Sequence, residues 1–500
     1  MVKPVVHITP HDLSLEDYIQ VALNQATIQL SPESVDRIQQ CRIRLETFIR
    51  EGKPLYGINT GFGALKDRSI PLEDLAKLQL NLIRSHAVGQ GEPSPDFVVR
   101  GMMLHRIKSL SIGYSGVTLE LVQKAVEALN LDLIPEIPVL GTVGASGDLA
   151  PLSHLVLGLL GEGKAKDPET GLFVSTREVM NKLGMTPLTE LHSKEGLALN
   201  NGTQFCTAWT IYAWHNASQL FEQSHMIAAM TVEALHGTHV AFHPMIHQLK
   251  PHPGQVHVGE RMRHWLQSEQ SAIYQTHGKT VVQDAYSLRC IPQIMGPVYD
   301  NLQFVRKILE TEVNSVNDNP LVLEEGIVSG GNFHAMPIGN AADLLGYSMT
   351  LVANLSERRC DRLVSGSAKF LPMFLAKDPG LDSGFMIVQY ASAGITAELR
   401  TMASPGSVHS IPTCANVEDL VSMAGYSARK AWRATVLVQH VLANEFFAAT
   451  QAMGFTEEQP GPRLQEVLMD FRQLVPFVDG DCEMRPLVLE TELFLRGNPI

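Results

Sequence analysis

Five hundred residues exceed what one ordinary hydrophobic core organises, so the chain must hold two or three packed regions or build one large oligomeric fold. A net charge of −13 at pH 7, with no run of lysines or arginines, excludes a nucleic-acid partner, because a phosphate backbone needs a basic face. Hydrophobic residues make up 45% of a chain that reads as globular and soluble, and only 18% of it is charged against an average of about 25%, so part of its surface is expected to lie in subunit contacts.

Taken from the start, residues 1–17 contain no apolar segment bounded by basic residues, so no secretory signal is expected. Apolar runs such as 155–160 fall far short of the ~20 residues that a membrane span requires. Cys41, Cys206, Cys290, Cys360, Cys414 and Cys482 are scattered without a Cys-x-x-Cys pair, which argues against zinc and against a disulfide framework. Reduced, mostly buried thiols in a cytoplasmic protein are the expectation.

The first two hundred residues are broken by glycine and proline, with loop-like patches at 56–63, 89–95 and 134–147. A hairpin is predicted with strands 164–166 and 172–174 around the turn 167–171. After Gly202 the pattern changes to long helical spacing, at 203–235, 298–314, 340–365, 385–402 and 417–452. Some of these stretches are apolar nearly all round and therefore buried, as in a bundle of long helices. The fold class is thus mainly α: a long-helix bundle and oligomerisation region over 201–500, and a smaller mixed, loop-rich region over 1–200.

Several motifs carry chemistry. In Tyr56-Gly57-Ile58-Asn59-Thr60-Gly61-Phe62-Gly63, three glycines let the backbone approach a ligand, and the Tyr56 phenol is either a packed aromatic or a base. A phenol with a reference pKa near ~10 works as a base near neutrality only beside positive potential. His86 closes an apolar helix, where a hydrogen-bonded core histidine is the plainer alternative. In Gly141-Thr142-Val143-Gly144-Ala145-Ser146-Gly147-Asp148-Leu149-Ala150-Pro151-Leu152, the amide nitrogen of Gly147 can reach the carbonyl of Ala145, since glycine carries no Cβ to block it. Loss of two waters, one of them taking the Ser146 hydroxyl, leaves a 4-methylidene-imidazole-5-one, an electrophile that needs no added cofactor. Alone, Ala-Ser-Gly is equally a flexible turn before a helix.

Asn201, in Gly196-Leu197-Ala198-Leu199-Asn200-Asn201-Gly202-Thr203-Gln204, reads as an amide at a helix start, where capping is the simple role. Gln283-Asp284-Ala285-Tyr286-Ser287-Leu288-Arg289-Cys290 places Tyr286 and Arg289 at i, i+3, on one face if helical. A guanidinium can grip a carboxylate through two parallel hydrogen bonds. Phe333, in Gly330-Gly331-Asn332-Phe333-His334, suits either core burial or a substrate ring. Glu418 is either a helix-start carboxylate favoured by the macrodipole or an acceptor in a site.

Taken together, these segments resemble those of the histidine and phenylalanine ammonia-lyase family, in order, from about Leu55 to beyond Phe455. The resemblance implies a homotetramer whose active sites draw on more than one subunit. It implies a prosthetic group made from Ala145, Ser146 and Gly147, with Tyr56, Ser146, Tyr286 and Glu418 catalytic. It assigns substrate binding to His86, Asn201, Gln283, Arg289, Phe333 and Met386, and no metal or external cofactor. Elimination would then release ammonia, with Tyr56 taking the β-proton and Arg289 and Asn201 holding the carboxylate.

His86, Met386 and Glu418 point to the histidine branch, whose product is urocanate. Departures from that branch stand at Asn200, Ile291, Met336, His409, Val417 and Leu420, mostly toward less polar residues, and keep a phenylalanine or tyrosine lyase or an aminomutase as the alternative.

Two other classes fit less well. His236, His239, His243, His247, His252 and His257 could suggest a metal hydrolase, yet Pro244, Pro251 and Pro253 break any shared helix and no His-Glu-x-x-His occurs. A catalytically dead helical scaffold is disfavoured by the intact set Tyr56, Ser146, Asn201, Tyr286 and Arg289.

Overall fold

The structure, a computed structural model, describes residues 4–51, 57–58, 60–61, 63 and 70–497. Among these, nineteen α-helices stand against four sheets of two short strands each, which makes the fold mainly α. The chain divides into two compact units. The first comprises residues 1–212, 306–343 and 405–429, and the second 213–305, 344–404 and 430–500.

The helical periodicities are realised as Gln204–Ala234, Ile291–Val313, Met336–Val364, Met386–Met402 and Ala424–Met453. The last of these corrects the predicted stretch 417–452, because residues 417–423 are not helical. Cys414, Ala415, Asn416 and Met423 all adopt positive φ, between 50° and 65°. Met423 N also donates to Val143 O at 2.9 Å, a tertiary contact that outweighs local helix propensity. The hairpin forms with strands Lys164–Lys166 and Phe173–Ser175, antiparallel, with Lys164 opposite Ser175. The patch 89–95 holds a strand, Gln90–Pro93, that pairs antiparallel with Pro138–Leu140.

In the first unit the helix Asp96–Ser111 is the spine. Every residue from Val98 to Ser111 is buried, polar ones included, as expected of a helix surrounded on all sides. Three helices of this unit start on side-chain caps that satisfy orphan amides. Ser14 accepts from Asp17 N, Ser31 from Ser34 N ahead of Pro32, and Thr118 from Leu121 N.

The second unit is a helical bundle whose core includes Phe446, Phe447, Phe471 and Phe494, with ring centroids of Phe446 and Phe471 4.9 Å apart. Its buried Arg359 donates to both oxygens of Glu445, at 2.5 and 2.8 Å, so neither charge is left unpaired. Of the histidines that suggested metal ligands, three lie here in ring stacks. His236 lies on His277 at 4.1 Å, His239 on Tyr274 at 4.1 Å and His257 on Tyr299 at 4.0 Å. His243 accepts from Met245 N, and His247 bonds Gln255. Among the described residues, no group of three or more His, Cys, Asp or Glu is arranged to hold a metal ion. No described helix is long and apolar enough to cross a membrane.

Candidate active site

The Ala-Ser-Gly segment sits in the first unit, on a tight turn between the strand Pro138–Leu140 and the helix Leu149–Leu159. Asp148 stands at the N-cap of that helix, but its carboxylate is used elsewhere: Oδ2 accepts from Cys206 N at 2.9 Å and Oδ1 from the Thr142 hydroxyl at 3.0 Å. The carboxylate thereby ties together both flanks of the tripeptide and the start of the long helix Gln204–Ala234. Burial raises its pKa above the ordinary carboxylate range. Gly147 has φ +90° and forms a bridge with Gly202, whose carbonyl accepts from Asp148 N at 2.6 Å. A Cβ at Gly147 would overlap the backbone N and O of Gly202, so only glycine fits.

Asn201 does not cap the start of the long helix, as its place in the sequence suggested. It is the C-cap of a short preceding helix, Glu195–Asn200, in extended conformation. That aims its amide across the turn, and Nδ2 donates to Ser146 O at 2.9 Å. Among the described residues, Asn201 Oδ1 has no hydrogen-bond partner. The neighbouring Asn200 is fully buried and bonds the Ser153 hydroxyl at 3.3 Å.

The Ser146 hydroxyl donates to Glu418 Oε1 at 2.6 Å, across 272 positions of sequence. The other carboxylate oxygen accepts from the Thr413 hydroxyl, also at 2.6 Å. Glu418 is therefore no helix-start carboxylate. It lies in an irregular segment, where it forms an antiparallel bridge with Thr413 around the left-handed residues Cys414, Ala415 and Asn416. Ser422 fastens the same segment to the turn by donating to Gly144 O at 2.9 Å.

Two cavities adjoin this centre, both within the first unit. The larger, about 530 Å³, is lined by Gly61, Asn81, Ser85, His86, Ser146, Asn200, Asn201, Cys414 and Glu418 among others. His86, the last residue of the helix Leu75–His86, shares Nδ1 with the Ser85 hydroxyl at 3.0 Å. Burial lowers its pKa, with a hydrogen bond to the Leu82 backbone and the Glu418 carboxylate opposing, which favours the neutral ring. The second cavity, about 370 Å³, shares Ser146, Asn201, Cys414 and Glu418 and adds Asn319, Phe333, His334, Val417 and Leu420. Val417 and Leu420 are 58% and 61% exposed.

Ala145, Ser146, Gly147, His86, Asn201, Phe333 and Glu418 are thus brought together. Tyr56, Asn59 and Phe62 lie outside the described residues. Gln283, Tyr286, Arg289 and Met386 belong to the second unit and line neither cavity. There, the short helix Tyr286–Arg289 places the guanidinium carbon 4.6 Å from the Tyr286 ring centroid, and Tyr286 is 68% exposed. Thr413, Ser422 and the role of Asp148 were missed from sequence. Asp148 alone had a local signal, an acid directly after the tripeptide; the other two matter only through a return of the chain.

Residues 13–473 match the sequence profile described as aromatic amino acid lyase. The chain belongs to the aromatic amino acid lyase family. Within that family it is 44% identical, over 97% of its length and 72% of the other's, to a histidine ammonia-lyase of Caenorhabditis elegans. Among solved structures it resembles the histidine ammonia-lyase of Trypanosoma cruzi, with TM-score 0.91, 37% identity, and coverage of 99% of this chain and 93% of that one. It also resembles the tyrosine aminomutase of Streptomyces globisporus, with TM-score 0.92, 33% identity, and coverage of 99% and 97%. This lyase fold is thus shared by members that bear different names.

Proposed function

We propose that the chain eliminates ammonia from L-histidine without oxidation, giving urocanate. The observation that carries this reading is the convergence of His86 and Glu418 on the cavity where Ser146 sits. An imidazole presents a donor and an acceptor nitrogen, and this pair offers partners to both. An apolar pocket would leave those groups unsatisfied, at a cost of about 1–3 kcal/mol each. The name borne by the C. elegans relative supports the same substrate.

The family relation implies the self-formed 4-methylidene-imidazole-5-one, and the residues here fit it. Gly147 has no room for a side chain, which favours approach of its nitrogen to Ala145. The Ser146 carbonyl, which becomes the ring carbonyl, already has the Asn201 amide as donor. The Ser146 hydroxyl, which departs, is held by a carboxylate. When formed, the group supplies an electrophilic carbon that makes the substrate amine a better leaving group, and this reading needs no metal or external cofactor.

The chain's own residues do the rest. Asn201 polarises the Ser146 carbonyl and, with Arg289, holds the substrate carboxylate. Tyr56 removes the β-proton, and Tyr286 assists proton traffic. Glu418 accepts from the imidazole or the amine, Phe333 packs on the ring, and Gln283 and Met386 complete the binding set. Residues 1–200 carry the prosthetic-group loop, joined at the site by the segments around Phe333 and Glu418, and 201–500 also carry the helices through which four copies assemble in the cytoplasm with shared sites. The 18% charged fraction supports such assembly.

The alternative, a phenylalanine or tyrosine lyase or an aminomutase, is favoured by one feature, the apolar Val417, Leu420 and Phe333 around the second cavity. Purified chain incubated with L-histidine, L-phenylalanine and L-tyrosine separates these by the ultraviolet absorption of each conjugated acid. Faster conversion of phenylalanine or tyrosine, or release of a β-amino acid, would replace histidine elimination with the alternative.

A further inference from the structure

Behind the turn that backs Gly147 lies a guanidinium in an unusual setting. Arg106, on the spine helix Asp96–Ser111, is 1% exposed and has no carboxylate within hydrogen-bonding distance among the described residues. Its Nη2 donates to Asn201 O at 2.8 Å and to Gln204 Oε1 at 2.5 Å, while Nε and Nη1 have no hydrogen-bond partner among the described residues. Gln204 in turn donates to Asn317 Oδ1 at 2.7 Å, and Asn317 donates to the Thr203 hydroxyl at 2.9 Å. Burial pulls the pKa of Arg106 down to about 10, so it remains a cation at neutral pH.

A buried cation whose donors are only partly used costs several kcal/mol, so its retention calls for a gain elsewhere. Geometry indicates where. A Cβ on Gly202 would overlap Arg106 Nη2 and lie 2.6 Å from Gln204 Oε1 and 2.9 Å from Asn317 Oδ1. A Cβ on Gly147 would in turn overlap the Gly202 backbone. Arg106 thus closes on Gly202, and Gly202 closes on Gly147, with no space for a side chain at either glycine.

We infer that Arg106 is a positioning residue for ring closure at Ala145-Ser146-Gly147, acting through the Asn201–Gly202 turn that it wedges against Gly147. This rests on the prosthetic-group reading above. In closure, a bond forms between Gly147 N and the Ala145 carbonyl carbon. That carbonyl oxygen leaves as water with the protons of Gly147 N and Ser146 N, and the Ser146 hydroxyl leaves as a second water with the Ser146 α-proton. No oxidant or reductant is needed. The slow requirement is proximity of nitrogen to carbon, which a displaced turn would forfeit.

The test is a time course of intact-chain mass after pulsed expression, under denaturing conditions, for wild type, Arg106→Met and Arg106→Lys, with circular dichroism on each. Wild type should lose the mass of two waters. Arg106→Met should fold yet close on the order of tenfold or more slowly, equivalent to ~1.4 kcal/mol or more. Arg106→Lys, which keeps a cationic donor, should recover part of the rate. Closure of folded Arg106→Met at the wild-type rate overturns the inference. Should Arg106→Met not fold, Gln204→Met carries the test, since it removes one acceptor of the guanidinium: slowed closure supports the wedge and unchanged closure overturns it. A wild-type chain without the mass loss would instead sink the prosthetic-group reading itself.

Discussion

Replacing Asn201 with alanine tests the centre of the site most directly. Its Nδ2 is the donor that reaches the Ser146 carbonyl, at 2.9 Å, and Asn201 is only 4% exposed. In the ground state the substitution removes one neutral hydrogen bond, worth about 1 kcal/mol net, and leaves a carbonyl unsatisfied at about 1–3 kcal/mol. A fold of this size tolerates that loss. On the proposed mechanism the transition state would depend more heavily on the donor, because charge would develop on that carbonyl as the substrate is activated. Removal of one preorganised donor of this kind costs roughly 10²–10³ in turnover, or about 2.7–4 kcal/mol. Asn201→Ala should therefore retain its helical circular dichroism and a urea midpoint only modestly lowered, while kcat read from product absorption falls by about two to three orders of magnitude. Asn201→Asp, which sets an acceptor against a carbonyl oxygen, should lose at least as much. A folded Asn201→Ala with wild-type kcat would refute the assignment.

Three further outcomes follow from the same geometry. Ser146→Ala loses a single hydrogen bond to Glu418, so it should stay folded within about 1.5 kcal/mol of wild type yet show neither activity nor a two-water mass loss; any turnover above background contradicts the mechanism. Glu418→Gln keeps the shape but removes the charge that faces His86, and should raise KM for histidine by about tenfold while altering that for phenylalanine little; an equal rise for both would mean the carboxylate does not read the side chain. His105 and His239 are pushed down to about 3 and His225 to about 4 by burial, from an ordinary value of 6.5. The folded chain thus binds fewer protons than the unfolded one between those values, so stability is fully present above about pH 6.5 and falls on acidification, by up to ~1.4 kcal/mol per pH unit for each ring. A urea midpoint unchanged from pH 7 to pH 5 would contradict this.

Much of the fold was legible because long helices announce themselves. The period of apolar residues located Gln204–Ala234 and Met336–Val364 within a few residues, and the Asp-Pro-Glu-Thr-Gly turn located the hairpin. What stayed hidden depends on partners far away in sequence. Nothing local marks residues 417–423 as irregular: their composition suits a helix, and they are held out of one by Val143, Gly144 and Thr413. The reach of Asn201 across to Ser146 was equally invisible, because the C-cap Asn201 and the first residue of the next helix, Gln204, are separated by only Gly202 and Thr203. Asp148, at a helix N-cap position, serves as a tie between segments that no local pattern announces, since a buried carboxylate seeks amide and hydroxyl donors wherever the fold brings them.

The left-handed run at Cys414, Ala415 and Asn416 has an engineering consequence. Non-glycine residues in that region cost about 1–3 kcal/mol each, with asparagine the more tolerant, so the loop that seats Glu418 stores strain that its contacts hold in check. Ala415, whose φ is 53°, touches neither cavity, and glycine there would release strain without altering a wall of the site. Thermal tolerance and side-chain selectivity can therefore be adjusted at neighbouring positions of one loop, the first at Ala415 and the second at Val417 and Leu420.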